Sequence, residues 1–239
     1  MLFKVLNAGE KNLPFLIYFC ETFLSTLSLM IKSFTFNAFS ENTYILYDDT
    51  KEAVIIDPGF NDATERKKLT DFIAQNHLKV VRLLNTHCHL DHIMGNPEVV
   101  EKYGVGLEVH KDEILFLKNA VTIGMRWGMR VPEQPEPSAY IEDNDIISFG
   151  NTKLQVLLAP GHSPGSICFY NEEEKWIIAG DVLFYGSIGR TDLPGGNHQQ
   201  LLDSIEKRLM TLPDDVKVYS GHGPTTTIGR ERTSNPFLN

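Results

Sequence analysis

Seven histidine and aspartate side chains of this sequence have the types and the spacing of metal ligands. Four of them fall within Thr86-His87-Cys88-His89-Leu90-Asp91-His92, and three stand alone further along the chain. The complete set is His87, His89, Asp91, His92, His162, Asp181 and His222. Five of the eight histidines belong to it, which is hard to explain by isolated structural histidines. Imidazole and carboxylate ligands without thiolate suit zinc, iron or manganese.

The size of this set indicates two metal ions rather than one. A single ion with about four ligands cannot use all seven groups. Two ions roughly 3.5–4 Å apart can use them if one carboxylate bridges. We expect three histidines to bind one ion, an aspartate and two histidines to bind the second, and another aspartate to bridge them. The first ion would be bound by His87, His89 and His162, the second by Asp91, His92 and His222, and the bridge would be Asp181. Cys88 lies between two of these ligands, but its spacing directs it away from them, so we interpret it as a packing residue.

Each ligand motif follows an apolar segment that predicts a buried strand. These segments are 80–84, 154–158, 176–178 and 216–219. Ligands at the ends of adjacent strands converge on one edge of a sheet, where loops can direct them at a common point. Glycine beside the later ligands allows the sharp backbone turns that such a site needs. The glycines in question are Gly161, Gly180, Gly221 and Gly223.

Strand and helix patterns fill the rest of the chain from Met30 onward, and they predict an α/β (α+β) fold. Further strands are predicted at 33–39, 43–47, 53–57 and 105–109, with hairpins over 146–158 and 167–178. Helices are predicted at 61–76, 97–103 and 198–212, and as one or two helices, broken near Gly124 and Gly128, at 111–129. The proline-rich segment 131–138 predicts a loop.

Composition limits the class of protein. A chain of 239 residues, 42% hydrophobic and 22% charged, fits one large domain or at most two small ones. A net charge of -9 argues against a nucleic-acid-binding surface. The three cysteines, Cys20, Cys88 and Cys168, are too few and too scattered for a disulfide framework. We therefore predict a cytoplasmic protein in a reducing compartment.

The apolar segment 13–31 has three interpretations: a signal peptide, a membrane span, or part of an upstream extension with Met30 as the natural start. A signal peptide is disfavoured because no small-residue cleavage site follows and flanking positive charge is low. A span is disfavoured because a proline and a glutamate interrupt a short segment. A regular strand pattern begins just after Met30, so we predict an extension over 1–29 and one domain over 30–239 that does not cross a membrane.

These motifs resemble the metallo-β-lactamase superfamily from about Met30 to the end of the chain. The resemblance implies a four-layer αββα sandwich of two mixed β-sheets flanked by helices, with the metals at one edge of the sheets. Within the superfamily, segments 180–184, 189–196 and 221–229 are similar to the short, single-domain glyoxalase II-like (hydroxyacylglutathione hydrolase-like) group. Full-length glyoxalase II carries a further helical domain that binds glutathione, whereas 17 residues follow His222 here.

The resemblance implies a dinuclear metal-dependent hydrolase of thioesters such as S-lactoylglutathione, with zinc as the expected metal and iron or manganese as alternatives. A metal-bridging hydroxide would attack the acyl carbonyl, and one ion would stabilise the oxyanion. Asp91 is expected to orient the hydroxide as well as to bind metal, which makes it the predicted catalytic residue. A thiolate, from a thiol with a pKa of about 8.5, leaves without a dedicated general acid.

A second subgroup also resembles this chain. Persulfide dioxygenases share the Thr-His-Cys-His and Gly-Arg-Thr-Asp motifs and use one iron, held at positions that match His87, His162 and Asp181. The Leu-Pro-Gly-Gly at 193–196 and the segment 226–229 favour the hydrolase. No nucleic-acid or membrane partner is predicted, and the sequence does not determine the oligomeric state.

Four further residues have two interpretations each. Arg190 could bind a substrate carboxylate or pair with Asp192. Asp57 could fix a ligand histidine or form the turn before Pro58. Asn42 and Tyr44 could face the site or only pack.

Overall fold

The computed structural model describes residues 29–238, and the predicted extension 1–29 lies outside this range apart from Leu29. Two six-stranded sheets form the centre of the described part of the chain. The first sheet has its strands in chain order: β1 Met30–Phe36, β2 Glu41–Tyr47, β3 Glu52–Ile56, β4 Lys79–Leu84, β5 Leu107–Val109 and β6 Ala139–Tyr140. Both β1–β2 and β2–β3 are antiparallel, whereas β4 pairs in parallel with β3 and β5. The sheet is therefore mixed.

The second sheet is built from two hairpins and two later strands. The strands are β7 Ile146–Phe149, β8 Thr152–Leu158, β9 Ile167–Asn171, β10 Trp176–Gly180, β13 Lys217–Ser220 and β14 Thr226–Thr227. Their order is β14-β13-β10-β9-β8-β7, with β10 and β13 parallel and the other pairs antiparallel. Between β10 and β13 a small hairpin forms from β11 Leu183–Phe184 and β12 Ser187–Ile188.

Helices cover the outer face of each sheet. They are α1 Ala63–Gln75, α2 Leu90–Ile93, α3 Asn96–Tyr103, α4 Ile114–Arg126, α5 His198–Ser204 and α6 Ile228–Ser234. A 3₁₀ turn, Lys111–Glu113, precedes α4, and a π-helical turn, Ile205–Leu209, follows α5. None of the described helices combines the length and the apolar composition that a membrane crossing requires.

Three buried clusters identify the four layers. One cluster lies between the sheets, because it combines residues of β2, such as Leu46, with residues of β9, such as Phe169. A second joins the first sheet to α1, α3 and α4, and a third joins the second sheet to α5 and α6. Period-two alternation in β2 produces this division, since Ile45 belongs to the outer cluster and Leu46 to the inner one. The predicted αββα sandwich of two mixed sheets is confirmed.

Two predicted boundaries were wrong for local reasons. The strand predicted at 33–39 begins at Met30 and ends at Phe36, because Asn37 and Ser40 adopt left-handed backbone angles (φ 52° and 57°). Of the breaks predicted near Gly124 and Gly128 within 111–129, the one near Gly124 does not occur, whereas α4 ends at Arg126, shortly before Gly128 at φ 69°. The helix continues through Gly124 to Arg126, and Gly124 packs closely against the segment that follows, since a Cβ there would lie 2.6 Å from Val131 Cγ2.

The later part of the chain contains elements that the sequence patterns did not indicate. The segment 198–212 is α-helical only to Ser204 and then widens into the π-helical turn. Strands β6, β11, β12 and β14 were not predicted, and neither was helix α6. The four strands have two residues each, so an alternating pattern has no length over which to develop.

Candidate metal centre

All seven predicted ligands meet at one edge of the two sheets. His87 and His89 follow β4, and Asp91 and His92 lie on the short helix α2. The other three, His162, Asp181 and His222, follow β8, β10 and β13. Because β10 and β13 are parallel neighbours, the residues after them emerge side by side.

Three histidine nitrogens converge on one point, which we call the three-histidine position. His162 Nε2 lies 3.2 Å from His87 Nε2 and 2.9 Å from His89 Nδ1. Burial lowers the pKa of all three rings, that of His89 to about 3. Neutral rings with lone pairs directed at a common point form the ligand set that a transition metal requires.

Three other predicted ligands form a second cluster, which we call the Asp91 position. Asp91 Oδ2 lies 3.1 Å from His222 Nε2 and 3.7 Å from His92 Nε2. Burial acts to raise the pKa of Asp91, but His92 and His222 hold it below its ordinary value. Burial acts to lower the pKa of His92, but the carboxylates of Asp91 and Asp181 raise it well above its ordinary value.

Asp181 lies between the two positions. Its Oδ2 is 3.5 Å from His162 Nε2 on one side and 3.5 Å from His222 Nε2 on the other, and its Oδ1 is 3.5 Å from His92 Nε2. Despite burial, the surrounding imidazoles, His92 first, hold the pKa of Asp181 far below its ordinary value. Asp181 Oδ1 and His92 Nε2 are buried without hydrogen-bond partners. Bound cations would satisfy such atoms, so the residues present fit a two-metal site.

Asp57 orients two of the predicted ligand histidines, His92 directly and His87 through Thr86. Its Oδ2 lies 3.1 Å from His92 Nδ1 and 2.6 Å from the Thr86 hydroxyl, which in turn lies 3.1 Å from His87 Nδ1. Asp57 occupies the left-handed region of backbone space at φ 51°. Strain of this kind is maintained only where the surroundings determine the conformation. Of the two interpretations of Asp57, the structure therefore favours the one in which it orients ligand histidines.

Backbone carbonyls orient two further histidines. His162 Nδ1 is 2.7 Å from the Arg190 carbonyl oxygen, and His222 Nδ1 is 3.0 Å from the Phe39 carbonyl oxygen. A ring that donates its Nδ1–H in this way leaves Nε2 unprotonated and directed toward the cluster. The loop between β1 and β2 therefore helps to set the geometry of the Asp91 position.

The Arg190 side chain is not part of the metal cluster. Its guanidinium forms a two-pronged ion pair with Asp192, Nε to Oδ1 at 2.7 Å and Nη2 to Oδ2 at 2.8 Å, and both side chains are exposed. The pairing interpretation thus describes the structure, and the role in substrate binding stays a prediction. What Arg190 contributes directly to the centre is its main-chain carbonyl, which sequence reasoning did not identify.

Asn42 and Tyr44 hold the chain on either side of His222. Asn42 Nδ2 donates to the carbonyls of Ser220 and Gly223 at 3.1 and 2.9 Å. The Tyr44 hydroxyl donates to the Ser220 carbonyl at 2.6 Å. These contacts connect the first sheet to the end of β13, so both residues position the site without facing it.

Glycine is required where the chain passes closest to the ligands. A Cβ at Gly221 would collide with the Asp181 carboxylate and lie 2.8 Å from His92 Cε1. Gly180, at φ 49°, lies against the Thr86 side chain, where a Cβ would collide with the hydroxyl. Absence of a side chain at these two positions allows β10 and β13 to approach the histidine loop.

Two buried glutamates were missed by sequence reasoning. Glu41 is fully buried, its Oε1 has no hydrogen-bond partner, and burial raises its pKa well above the ordinary value. That oxygen lies 4.0 Å from His92 Nδ1. Glu113 is also fully buried, and it accepts hydrogen bonds from the loops that carry the histidines. No pattern around either residue distinguishes it from a solvent-exposed glutamate, because the partners are distant in sequence.

Aromatic rings flank the cluster on two sides. The Phe116 ring packs edge-on against His89 with centroids 5.4 Å apart, and the Phe184 ring packs edge-on against His222 at 6.2 Å. Both phenylalanines are half-buried. They place apolar surface beside each of the two candidate metal positions.

Comparison with known proteins agrees with this architecture. The model of the metallo-beta-lactamase superfamily matches residues 37–222. The chain is 41% identical over 200 residues to the probable metallo-hydrolase YqgX of Bacillus subtilis, an alignment that covers 83% of this chain and 92% of that protein. It is 38% identical over 205 residues to the hydroxyacylglutathione hydrolase GloC of Haemophilus influenzae, with coverage of 84% and 94%.

Solved structures show the same fold. The structure of the BLEG-1 B3 metallo-beta-lactamase superposes with a TM-score of 0.81 at 37% identity, covering 88% of this chain and all of that one. That of TTHA1623 in a di-iron-bound form superposes with a TM-score of 0.79 at 35% identity, covering 87% of this chain and all of that one. ETHE1 from Myxococcus xanthus superposes with a TM-score of 0.71 at 27% identity, with coverage of 87% and 83%.

Proposed function

The chain belongs to the metallo-beta-lactamase superfamily, and from this premise we propose that it is a dinuclear metal-dependent hydrolase of thioesters such as S-lactoylglutathione. The observation that carries the proposal is the position of Asp181, whose carboxylate reaches both candidate metal positions at 3.5 Å. A carboxylate shared in this way is characteristic of two-metal hydrolytic sites. Similarity to GloC of Haemophilus influenzae supports the choice of a thioester substrate.

The predicted site residues would have two roles, metal binding and orientation of the nucleophile. The three-histidine position and the Asp91 position would each hold one divalent ion, zinc in our proposal, with Asp181 between them. When bound, the ions would lower the pKa of water toward neutrality and polarise the acyl carbonyl. Asp91 is half-buried, and its Oδ2 lies beside His222. This places a hydrogen-bond acceptor where it can orient the attacking nucleophile.

The surroundings suit a small, partly apolar substrate. Phe116 and Phe184 border the two positions and offer apolar surface to an acyl group. Arg190 lies near the start of the loop that follows β12, and we propose that it exchanges its Asp192 partner for a substrate carboxylate. Such an exchange costs little free energy, because an exposed ion pair contributes only about 0–1 kcal/mol to stability. A thiolate leaving group needs no general acid from the protein.

The state of the cysteines supports a location in the reducing cytoplasm. Cys88 and Cys168 are free thiols, and both are buried. The net charge of -9 disfavours association with nucleic acid, and we propose no membrane partner.

An iron-dependent persulfide dioxygenase is the second candidate. His87, His162 and Asp181 form a group of two histidines and one carboxylate, with 3.2 Å between the histidine nitrogens and 3.5 Å from His162 Nε2 to the carboxylate. Ligand sets of this composition with open positions are used by non-haem iron oxygenases. The di-iron-bound form of TTHA1623, a related structure, supports the idea that iron can enter this fold.

One preparation can distinguish the candidates. Metal content would be measured by mass spectrometry on the purified protein, together with hydrolysis of S-lactoylglutathione and oxygen uptake with glutathione persulfide. Two metals per chain with thioester turnover supports the hydrolase. A single iron with oxygen uptake and no thioester turnover overturns it. A chromogenic β-lactam in parallel tests the activity named for BLEG-1.

A further inference from the structure

Glu113 is a fully buried carboxylate whose hydrogen-bond partners are all donors. It lies at the end of the 3₁₀ turn that precedes α4. Oε2 accepts from the backbone N–H of Cys88 at 2.7 Å, and Oε1 accepts from the backbone N–H of Gly165 at 2.7 Å and from the hydroxyl of Ser163. A side chain without a solvent-exposed surface therefore connects two loops that are far apart in sequence.

These two loops carry the entire three-histidine position. Cys88 lies between His87 and His89, so fixing its N–H fixes the His87–Cys88 peptide plane at the centre of the segment that carries both rings. Ser163 directly follows His162, and Gly165 is three residues beyond it. One carboxylate thus sets the separation between the loop that supplies two of the rings and the loop that supplies the third.

The contacts require a carboxylate rather than any polar side chain of the same size. Both oxygens must accept hydrogen bonds, whereas a carboxamide would place an NH₂ group against one of the donors. Gly165 approaches closely because it has no side chain, since a Cβ there would lie 2.9 Å from Glu113 Cγ and 2.8 Å from His110 Nδ1. Burial raises the pKa of Glu113, and the three donors counter this by stabilising the ionised form.

We propose that Glu113 is a positioning residue that holds the three-histidine position in a preformed, metal-binding geometry. It acts through Cys88, Ser163 and Gly165 and touches none of the predicted ligand rings by the hydrogen bonds described above. Outer-shell partners of this kind typically change metal affinity by about 10–100-fold. The inference rests on the proposed metal-dependent function only in taking the three histidines as a metal position, and it is independent of the substrate.

The test compares the two metal positions separately. In a His222→Ala background only the three-histidine position is complete, and in a His89→Ala background only the Asp91 position is complete. Glu113→Gln would be added to each, and the Kd for Zn²⁺ would be measured on the metal-free protein by competition with a chromophoric chelator. We expect about 10–100-fold weaker binding in the first background and less than about 2-fold change in the second. Asp112→Asn, the same chemical change one residue away on an exposed side chain, should alter neither.

A second readout uses the metal-free protein alone. The amide protons of Cys88 and Gly165 should be shifted downfield in the NMR spectrum of the wild type and lose that shift in Glu113→Gln, because both donate short bonds to a charged acceptor.

Equal weakening of zinc binding in both backgrounds, or unchanged binding in both, overturns the proposal. If Glu113→Gln does not fold, Ser163→Ala removes one of the three donors, and unchanged affinity of the three-histidine position in that variant overturns it as well. Absence of thioester turnover in the wild type would refute the proposed function while leaving this comparison intact.

Discussion

The carboxylate of Asp57 lies 3.1 Å, Oδ2 to Nδ1, from the imidazole of His92. Both side chains are buried, and the same oxygen also accepts from the Thr86 hydroxyl beside His87. A single carboxylate at the end of β3 thus influences one histidine of each candidate metal position. The orientation of the two positions is coupled through a residue that belongs to neither.

Asp57→Asn tests the orientation of His92 by Asp57 without changing the backbone preference, since asparagine tolerates left-handed angles as well as aspartate does. Zinc affinity at the Asp91 position should fall about 10–100-fold, because an NH₂ group would replace one accepting oxygen. Competition titration in the His89→Ala background measures it. The exposed residue Asp49, changed to asparagine, is the control, and equal behaviour of the two variants would contradict the role assigned to Asp57.

Asp181→Asn tests the proposed role of Asp181 as the carboxylate shared by the two metal positions. Replacing the shared carboxylate by an amide should lower kcat/KM for the thioester about 100-fold or more, equivalent to about 2.7 kcal/mol of transition-state stabilisation. Metal content should fall below two per chain in the same sample. Asp91→Asn should also remove most of the activity. A variant of either residue with full turnover is incompatible with the dinuclear scheme.

Arg190→Ala distinguishes the role of the Arg190 side chain from that of its main-chain carbonyl. KM for an anionic thioester should rise several-fold with kcat and metal content little changed, because the carbonyl that accepts from His162 is retained. Steady-state kinetics with metal analysis measure both effects. Arg126→Ala, an exposed arginine at the end of α4, serves as the control. An unchanged KM would remove Arg190 from the substrate site.

Cys88 and Cys168 should be inert in the folded protein. Burial raises the pKa of Cys88 well above its ordinary value and that of Cys168 to about 12. At pH 8 a thiol with a pKa near 12 is ionised in about one molecule in ten thousand, and the thiolate is the reactive form. In a Cys20→Ser variant a disulfide reagent should label neither thiol until denaturant is added. Rapid labelling of Cys88 in the native protein would refute its assignment to the core.

Stability of the metal-free protein should fall as the pH decreases below neutrality. Burial lowers the pKa of His89 to about 3 in the folded state, whereas the unfolded ring titrates near 6.5. Between these values the unfolded chain binds a proton that the folded chain does not, so stability present above pH 6.5 is lost as the pH falls toward 3. Against His89→Gln, the wild type should lose about 2 kcal/mol more between pH 7 and pH 5 in urea unfolding. A smaller loss of stability in the wild type than in His89→Gln would contradict the lowered pKa of His89.

Residue types and local patterns were sufficient for much of this protein. The buried strands are continuous apolar runs, and this signal does not depend on distant partners, so β3, β4, β8 and β10 were located to within about two residues. The clustering of histidine and aspartate after β4, β8, β10 and β13 identified the set of residues that converges at the sheet edge. Resemblance to a known family supplied the layered architecture.

Tertiary structure decided what depends on residues far apart in sequence. Glu113 meets its partners across 25, 50 and 52 positions, and Asp57 meets His92 across 35. Gly124 packs against Val131, seven residues further along, and the two-residue strand β14 exists because β13 offers it a hydrogen-bonding edge. The sequence by itself determined which side chains could bind metal and which segments are buried, since composition and period are local properties. Only the folded chain determined which buried carboxylates orient those ligands, because a hydrogen bond depends on the distance and angle between groups that folding brings together.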